Sequence, residues 1–344
     1  MTKREGQSPT VDLERLTKIV RDSTTSVLPP TGFRPLQASP EELKKLGFPK
    51  RPDPKLQPVE YAFWQEMFAP PVEFEAFDFE ILPFLKKRSS RAFFQQSPRR
   101  QTSFNWSGAY ITPRDGTVFS SIWGKFQVPT PNQPLGGGAG EKYHSSTWIG
   151  FDGQRRYYSS TLPQIGTAQN IDPGTGVPTK SFFAWWQWWV RDVLEQAFPI
   201  RLASPAIHAG DLIMCFMQVA DDRAGVSFVI TNLTTSRTAQ FSQAAPLTDR
   251  GQPFKVPGAT AEWVMERPAD APDPTPLQLP DYGTVDFRDC GAMAINMDTG
   301  AMLERTVAAA NLINMHVVRQ NPERTENISI AKPLDSTEFL THFR

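Results

Sequence analysis

The sequence predicts an all-β protein, a sandwich or barrel of short strands, preceded by a proline-rich and partly helical extension. Three observations support this. After residue 103 the chain runs in short β-type stretches separated by Gly, Pro, Asn and Asp, as in GTVFSSIWGKFQVPTP, SSTWIGFDG and GVSFVITNLTT. Helical periodicity is nearly absent there, apart from a candidate stretch at TGAMLERTVAAANLI, residues 299–313. The length of 344 residues leaves room for a large core plus an appendage.

The extension, residues 1–102, opens with stretches such as VLPPTGFRP and FPKRPDPKLQP. Between them the signals of one short helix agree: Ser39 as cap, Pro40 in the first turn, Glu42 three residues after the cap, and Gly47 beyond the end. A second helix is expected over VEYAFWQEMFA, residues 59–69. The run KKRSSRAFFQQSPRR, residues 86–100, carries only positive charge. A solvated linker is the ordinary reading of such a block, and an inhibitory prosegment able to enter an acidic cleft is the functional one. The β domain is expected over residues 103–344.

Composition limits the function classes. Thirty-six basic and 36 acidic residues give a formal net charge of zero, which argues against a nucleic-acid surface over the whole chain. Two cysteines, Cys215 and Cys290, are too few for a disulfide framework and lack metal-binding spacing. The first twenty residues are charged and lack the apolar run of a secretory signal, and no segment is apolar enough to span a membrane. A soluble, cytoplasmic monomer without nucleic-acid or membrane partners is therefore expected, unless export follows a route the sequence does not advertise. The sequons at Asn105, Asn232 and Asn327 carry little weight in that setting.

Two strands carry the functional interest. In SFFAWWQWWV, residues 181–190, alternation places Phe183, Trp185, Gln187 and Trp189 on one face and Phe182, Ala184, Trp186 and Trp188 on the other. One aromatic face can enter a core; the other must be covered or form an apolar cleft, and Gln187 marks the cleft side. In TAEWVMERPAD, residues 260–270, Ala261, Trp263 and Met265 face the core, while Glu262, Val264 and Glu266 face the other way.

The pieces FNWSGAYI, SSTWIGFDG, TLPQIGT, AWWQWW, AGDLI, TNLTT, AEWVMERP and YGTVDFRDC occur in the order and approximate spacing of the eqolisin glutamic peptidases, which residues 103–344 resemble. The resemblance implies two large antiparallel sheets of the concanavalin A-like lectin and glucanase type, with a substrate cleft on a concave sheet. It implies an acid-active endopeptidase using a glutamate–glutamine dyad, which falls on Glu266 and Gln164. Cleft-lining tryptophans fall on Trp106, Trp148 and Trp185, with Gln187 and Asp152 as further candidate substrate contacts. Asp152, in FDG, also reads as a turn-former. The chain departs from the family in carrying Gln187 where relatives commonly have glutamate and Phe183 where they often have an acid.

The chemistry suits these residue types. Amide hydrolysis needs a base for water, a donor for the developing oxyanion and an acid for the leaving nitrogen. Glu266 can be base and then acid, and the Gln164 amide can orient water and hold the oxyanion, with a protein or peptide as substrate and no metal or cofactor. His144, His208, His316 and His342 show no zinc-binding helix motif, and no serine lies in a nucleophile-elbow sequence. The alternative is a carbohydrate-binding module or an inactive peptidase homologue. Catalysis on sugars fits less well, because Glu262 and Glu266 stand about 13 Å apart along a strand, too far for a glycosidase pair.

Overall fold

Alternation along the strands sorts the buried side chains into three apolar clusters, and these define the layers. The computed structural model describes residues 12–69, 71–82, 100–114, 116–138, 140–153, 161–174, 177–191, 193, 196, 198–269, 276–319 and 322–344. One sheet, which carries the cleft, takes the order β5 (Trp106–Ile111), β14 (Ala261–Glu266), β7 (Tyr143–Phe151), β8 (Thr161–Asp172), β9 (Thr179–Val190), β10 (Ile200–Leu202) and β3 (Phe79–Ile81), numbered in chain order. The other takes the order β13 (Arg237–Ala244), β12 (Gly225–Asn232), β11 (Leu212–Val219), β6 (Thr117–Gln127) and β15 (Thr284–Asn296). All these pairings are antiparallel. Beyond β15, which also forms a hairpin with β16 (Met302–Thr306), the strands β19 (Phe339–Phe343), β18 (Arg324–Pro333) and β17 (Asn311–Arg319) carry the hydrogen bonds round to β5, with β4 (Arg100–Ser103) parallel to β17. The fold is the all-β sandwich that the sequence predicts.

The largest cluster lies between the sheets. From the cleft sheet it takes Ala261, Trp263, Met265, Ala184, Trp186 and Trp188; from the other it takes residues such as Ile213, Cys215, Met217, Phe228 and Ile230. Both expected face assignments are therefore met. Trp263 is fully buried, donates its indole N–H to the Trp123 carbonyl at 2.8 Å, and lies over Gly124. A Cβ at Gly124 would come within 2.8 Å of the Trp263 indole nitrogen, so only glycine admits the ring without a shift. Cys215 and Cys290 are both buried and free.

The second cluster explains the extension. On β6, β11, β12 and β15 the residues that point away from the sandwich core, Trp123, Met214, Phe216, Val229 and Met293, are also apolar. A sheet that is apolar on both faces needs a second cover. Helices α2 (Pro40–Lys45) and α3 (Pro58–Phe68) supply it with Leu43, Phe63, Trp64, Met67 and Phe68. The α2 cap is the one expected: the Ser39 hydroxyl accepts from Glu42 N–H, and the Glu42 carboxylate accepts from Ser39 N–H. Helix α1 (Leu13–Ser23), which the sequence reading passed over, is capped by Asp12 and sends Leu16 and Val20 into the main core. Strands β1 (Thr24–Thr25) and β2 (Glu73–Phe74) pair with β13. Of the basic run at 86–100, all but Arg100 lies outside the described residues.

The helix expected around residues 299–313 is replaced by β16, a 3-10 turn at Val307–Ala309 and the start of β17. Its first residues instead close a hairpin. The Asn296 side chain accepts from Asp298 and Thr299 N–H, and Gly300 sits at φ +71°. Such a turn commits the chain to pair back on β15, and that pairing overrides local helix propensity.

Candidate active site

Strand register lays out the cleft face as rows of side chains. Across β14, β7, β8 and β9 the rows read Glu262–Gly150–Gln164–Gln187, then Val264–Trp148–Gly166–Trp185, then Glu266–Ser146–Ala168–Phe183. Directly opposed residues of an antiparallel pair share a face, so all twelve point into the same layer. The third apolar cluster lies here: Trp148, Leu162, Ala168, Trp185 and Val264, with Trp106, Phe183 and Trp189 against it.

Glu266 is 1% exposed and held from two sides. Its Oε2 accepts from the Trp148 indole N–H at 2.9 Å, and its Oε1 accepts from the Asn105 amide at 3.1 Å. Trp148 is in turn wedged edge-on against Trp106, with ring centroids 5.0 Å apart. Trp148 thus holds the acid from beneath rather than offering a face to the cleft, as it has no exposed surface. From the sequence Asn105 reads only as a sequon, although it adjoins Trp106 in the quoted FNWSGAYI.

Gln164 is fully buried. Its Nε2 donates to Gln187 Oε1 at 2.9 Å, and Gln187 Nε2 donates to the Gln196 carbonyl at 3.3 Å. Among the described residues Gln164 Oε1 has no hydrogen-bond partner, and neither do the indole nitrogens of Trp106 and Trp185. An unpaired buried polar atom is costly in a folded protein. All three lie on this sheet face.

Gln164 and Glu266 lie two strands and two rows apart. On an untwisted sheet that is roughly 16 Å between Cα atoms, from about 4.8 Å per strand and about 3.3 Å per residue. Gly166 lies in the row between them. Any Cβ there would come within 2.0 Å of the Thr147 carbonyl oxygen and 2.6 Å of Trp148 Cα.

The other candidates divide clearly. Trp185 and Gln187 border a cavity of about 590 Å³, counted with the solvent at its mouth, which Glu266 also lines. Gln164, Trp106, Trp148 and Asp152 are not among its lining residues. The Asp152 carboxylate accepts from the backbone N–H groups of Gly258, Ala259 and Thr260 from a φ of +63°, which is the turn-forming job. Burial pushes its pKa up to about 6 against those three donors. Glu262, on the same face as Glu266, binds Gly153 N–H and the Thr260 hydroxyl, so the two glutamates have different partners. His144, which also borders the cavity, pairs through Nε2 with Asp172 at 2.8 Å. Among the described residues no group of three or more His, Cys, Asp or Glu side chains is placed to hold a metal ion.

Residues 104–332 match the Peptidase A4 family. The chain belongs to this family. It is therefore a peptidase of the eqolisin type, and every candidate residue above lies inside the matched segment. No curated protein sequence matches the chain. Among solved structures it is similar to tailspike protein 2 of an Escherichia coli O157:H7 bacteriophage, at 11% identity and a TM-score of 0.25, over 52% of this chain and 21% of that one. It is also similar to the enzymatically active domain of bacteriophage CBA120 tailspike protein 2, at 10% identity and a TM-score of 0.24, over 58% and 30%. The chain thus spans a third or less of those proteins, and likeness this remote carries no weight beside the A4 match.

Proposed function

We propose that this A4 peptidase is an endopeptidase that hydrolyses peptide bonds with a water held between Glu266 and Gln164, and that it works best at acid pH. The observation that carries the reading is the pair itself: a buried carboxylate held by Trp148 and Asn105, and a buried amide whose oxygen has no partner, on one cleft face. The Glu266 carboxylate takes a proton from water as its oxygen attacks the scissile carbonyl carbon. Gln164 Oε1 accepts the water's other hydrogen and aims the nucleophile. The oxyanion that forms is met by the second N–H of Gln164 Nε2, the first being engaged by Gln187. Glu266 then returns its proton to the amide nitrogen, the C–N bond breaks, and acid and amine products leave.

The reading is tested by incubating the full chain with a denatured protein and with a soluble polysaccharide across pH 3 to 8. New amino termini from the protein, most abundant on the acid side, and no new reducing ends from the polysaccharide are the expected result. Reducing ends without new amino termini would contradict it.

A further inference from the structure

The cavity beside Glu266 is not built from the family-matched segment alone. Ala168, Phe183 and Trp185 form part of its wall, and Leu82 and Pro199 form another. Leu82 belongs to the N-terminal extension, outside residues 104–332. Strand register explains how it arrives there. Trp186 of β9 pairs with Ile200 of β10, Ile200 pairs with Ile81 of β3, and Leu82 N–H then donates to the Pro199 carbonyl at 3.0 Å. The extension thus adds a strand to the edge of the cleft sheet and delivers a leucine, 9% exposed, to the cavity wall.

The wall formed by Leu82, Pro199, Phe183 and Trp185 is apolar. Phe183 stands where a carboxylate would make the wall anionic, and the Arg201 guanidinium stacks on its ring at 5.1 Å, with Glu80 opposite on the neighbouring strand. The polar groups at the border are Glu266; Gln187, engaged by Gln164; His144, engaged by Asp172; Ser145, which donates to the Gln169 carbonyl; and Ser146 and Asn170. A basic substrate side chain entering here would pair with the Glu266 carboxyl group and take the base out of use.

We propose that the extension is a permanent part of the substrate-binding surface, and that Leu82, with Pro199, Phe183 and Trp185, sizes a pocket for a bulky apolar side chain next to the scissile bond. This rests on the peptidase reading of Glu266. One methylene in an apolar pocket changes discrimination about tenfold or more. The size of residue 82 is therefore read directly as substrate preference.

The test uses full-length protein and quenched peptides identical except for Phe, Leu, Ala or Lys at the residue flanking the cleaved bond. The wild type should prefer Phe or Leu over Ala by at least about tenfold in kcat/KM, and disfavour Lys. Leu82→Ala should move the preference toward Phe, and Leu82→Phe should move it toward Ala, each by about tenfold. Leu82→Met, which conserves volume, is assayed beside them so that any one folded variant decides, folding being checked by thermal melting. An unchanged ranking in a folded Leu82→Ala or Leu82→Phe protein would overturn the inference while leaving the peptidase reading intact. If the wild type cleaves neither these peptides nor denatured protein, the peptidase reading fails and this inference fails with it.

Discussion

Gln187 fixes which way the Gln164 amide faces. Because its own amide nitrogen donates to the Gln196 carbonyl, its oxygen is turned to Gln164 and accepts from Nε2, which leaves Gln164 Oε1 pointing away and unpartnered. Gln187→Leu removes that acceptor, lets the amide rotate, and should lower kcat about tenfold with little change in KM. Gln187→Glu keeps an acceptor and should retain most of the wild-type kcat, which a mere packing role would not distinguish from leucine. Gln164→Ala removes the oxyanion donor itself and should cost about two to three orders of magnitude in kcat. Steady-state kinetics on one peptide resolve all three. At this scale the sequence is informative about which face a side chain takes, since alternation places Trp185 with Gln187 on one face of β9 and Glu262 with Glu266 on one face of β14; that these faces form one surface depends on strand order. It is silent on partners: that Trp148 serves Glu266 through its N–H, and that Asp152 is occupied by three backbone donors, depend on strands far apart in the chain.

Helix α3 docks a carboxylic acid against the outer face of the second sheet. Glu60 is fully buried there, bonded by the Gln57 amide at 2.6 Å, while Glu304 on β16 accepts from the N–H groups of Val59 and Glu60 and caps the helix from outside it. Burial raises the Glu60 pKa from 4.5 to about 7, with the Glu304 charge adding to the rise. The folded state therefore favours the neutral acid. Its contribution is fully present below pH 4.5, falls as pH rises toward 7, and is lost above that, a change on the order of 3 kcal/mol. Asp152 acts in the same direction between 3.8 and about 6. Urea midpoints at pH 5 and pH 8 should drop steeply for the wild type and less for Glu60→Gln; parallel drops would show that Glu60 does not titrate across this range. The helices were unevenly legible. The α2 box is written in four residues, whereas α1 was hidden in a charged opening that nonetheless carries the Asp12 cap and the Leu16, Val20 pair. The stretch after Asp298 was misread because its composition favours helix while its first residues form a turn.

Layer by layer, the molecule is a helical cover, a sheet apolar on both faces, the sandwich core, and the sheet that bears the cleft. The β class and the cleft sheet were legible from strand periodicity and turn residues. The cover was not, because nothing in a proline-rich segment says that its Phe63, Trp64 and Met67 match Trp123, Phe216 and Met293 across the chain. This packing bears on the alternative reading of the extension as an inhibitory prosegment. A chain beginning at Thr102 would expose that apolar face and leave β10 without β3, so it should aggregate or melt far below the full chain in calorimetry. A soluble fragment with an unchanged melting temperature would instead make the cover dispensable. The most direct test of the whole reading is kcat/KM on one quenched peptide at acid pH for the full chain and for Glu266→Gln, both shown folded by the same melting curve. Loss of at least about a thousandfold is the predicted result, and a Glu266→Gln protein that cleaves at the wild-type rate would contradict it.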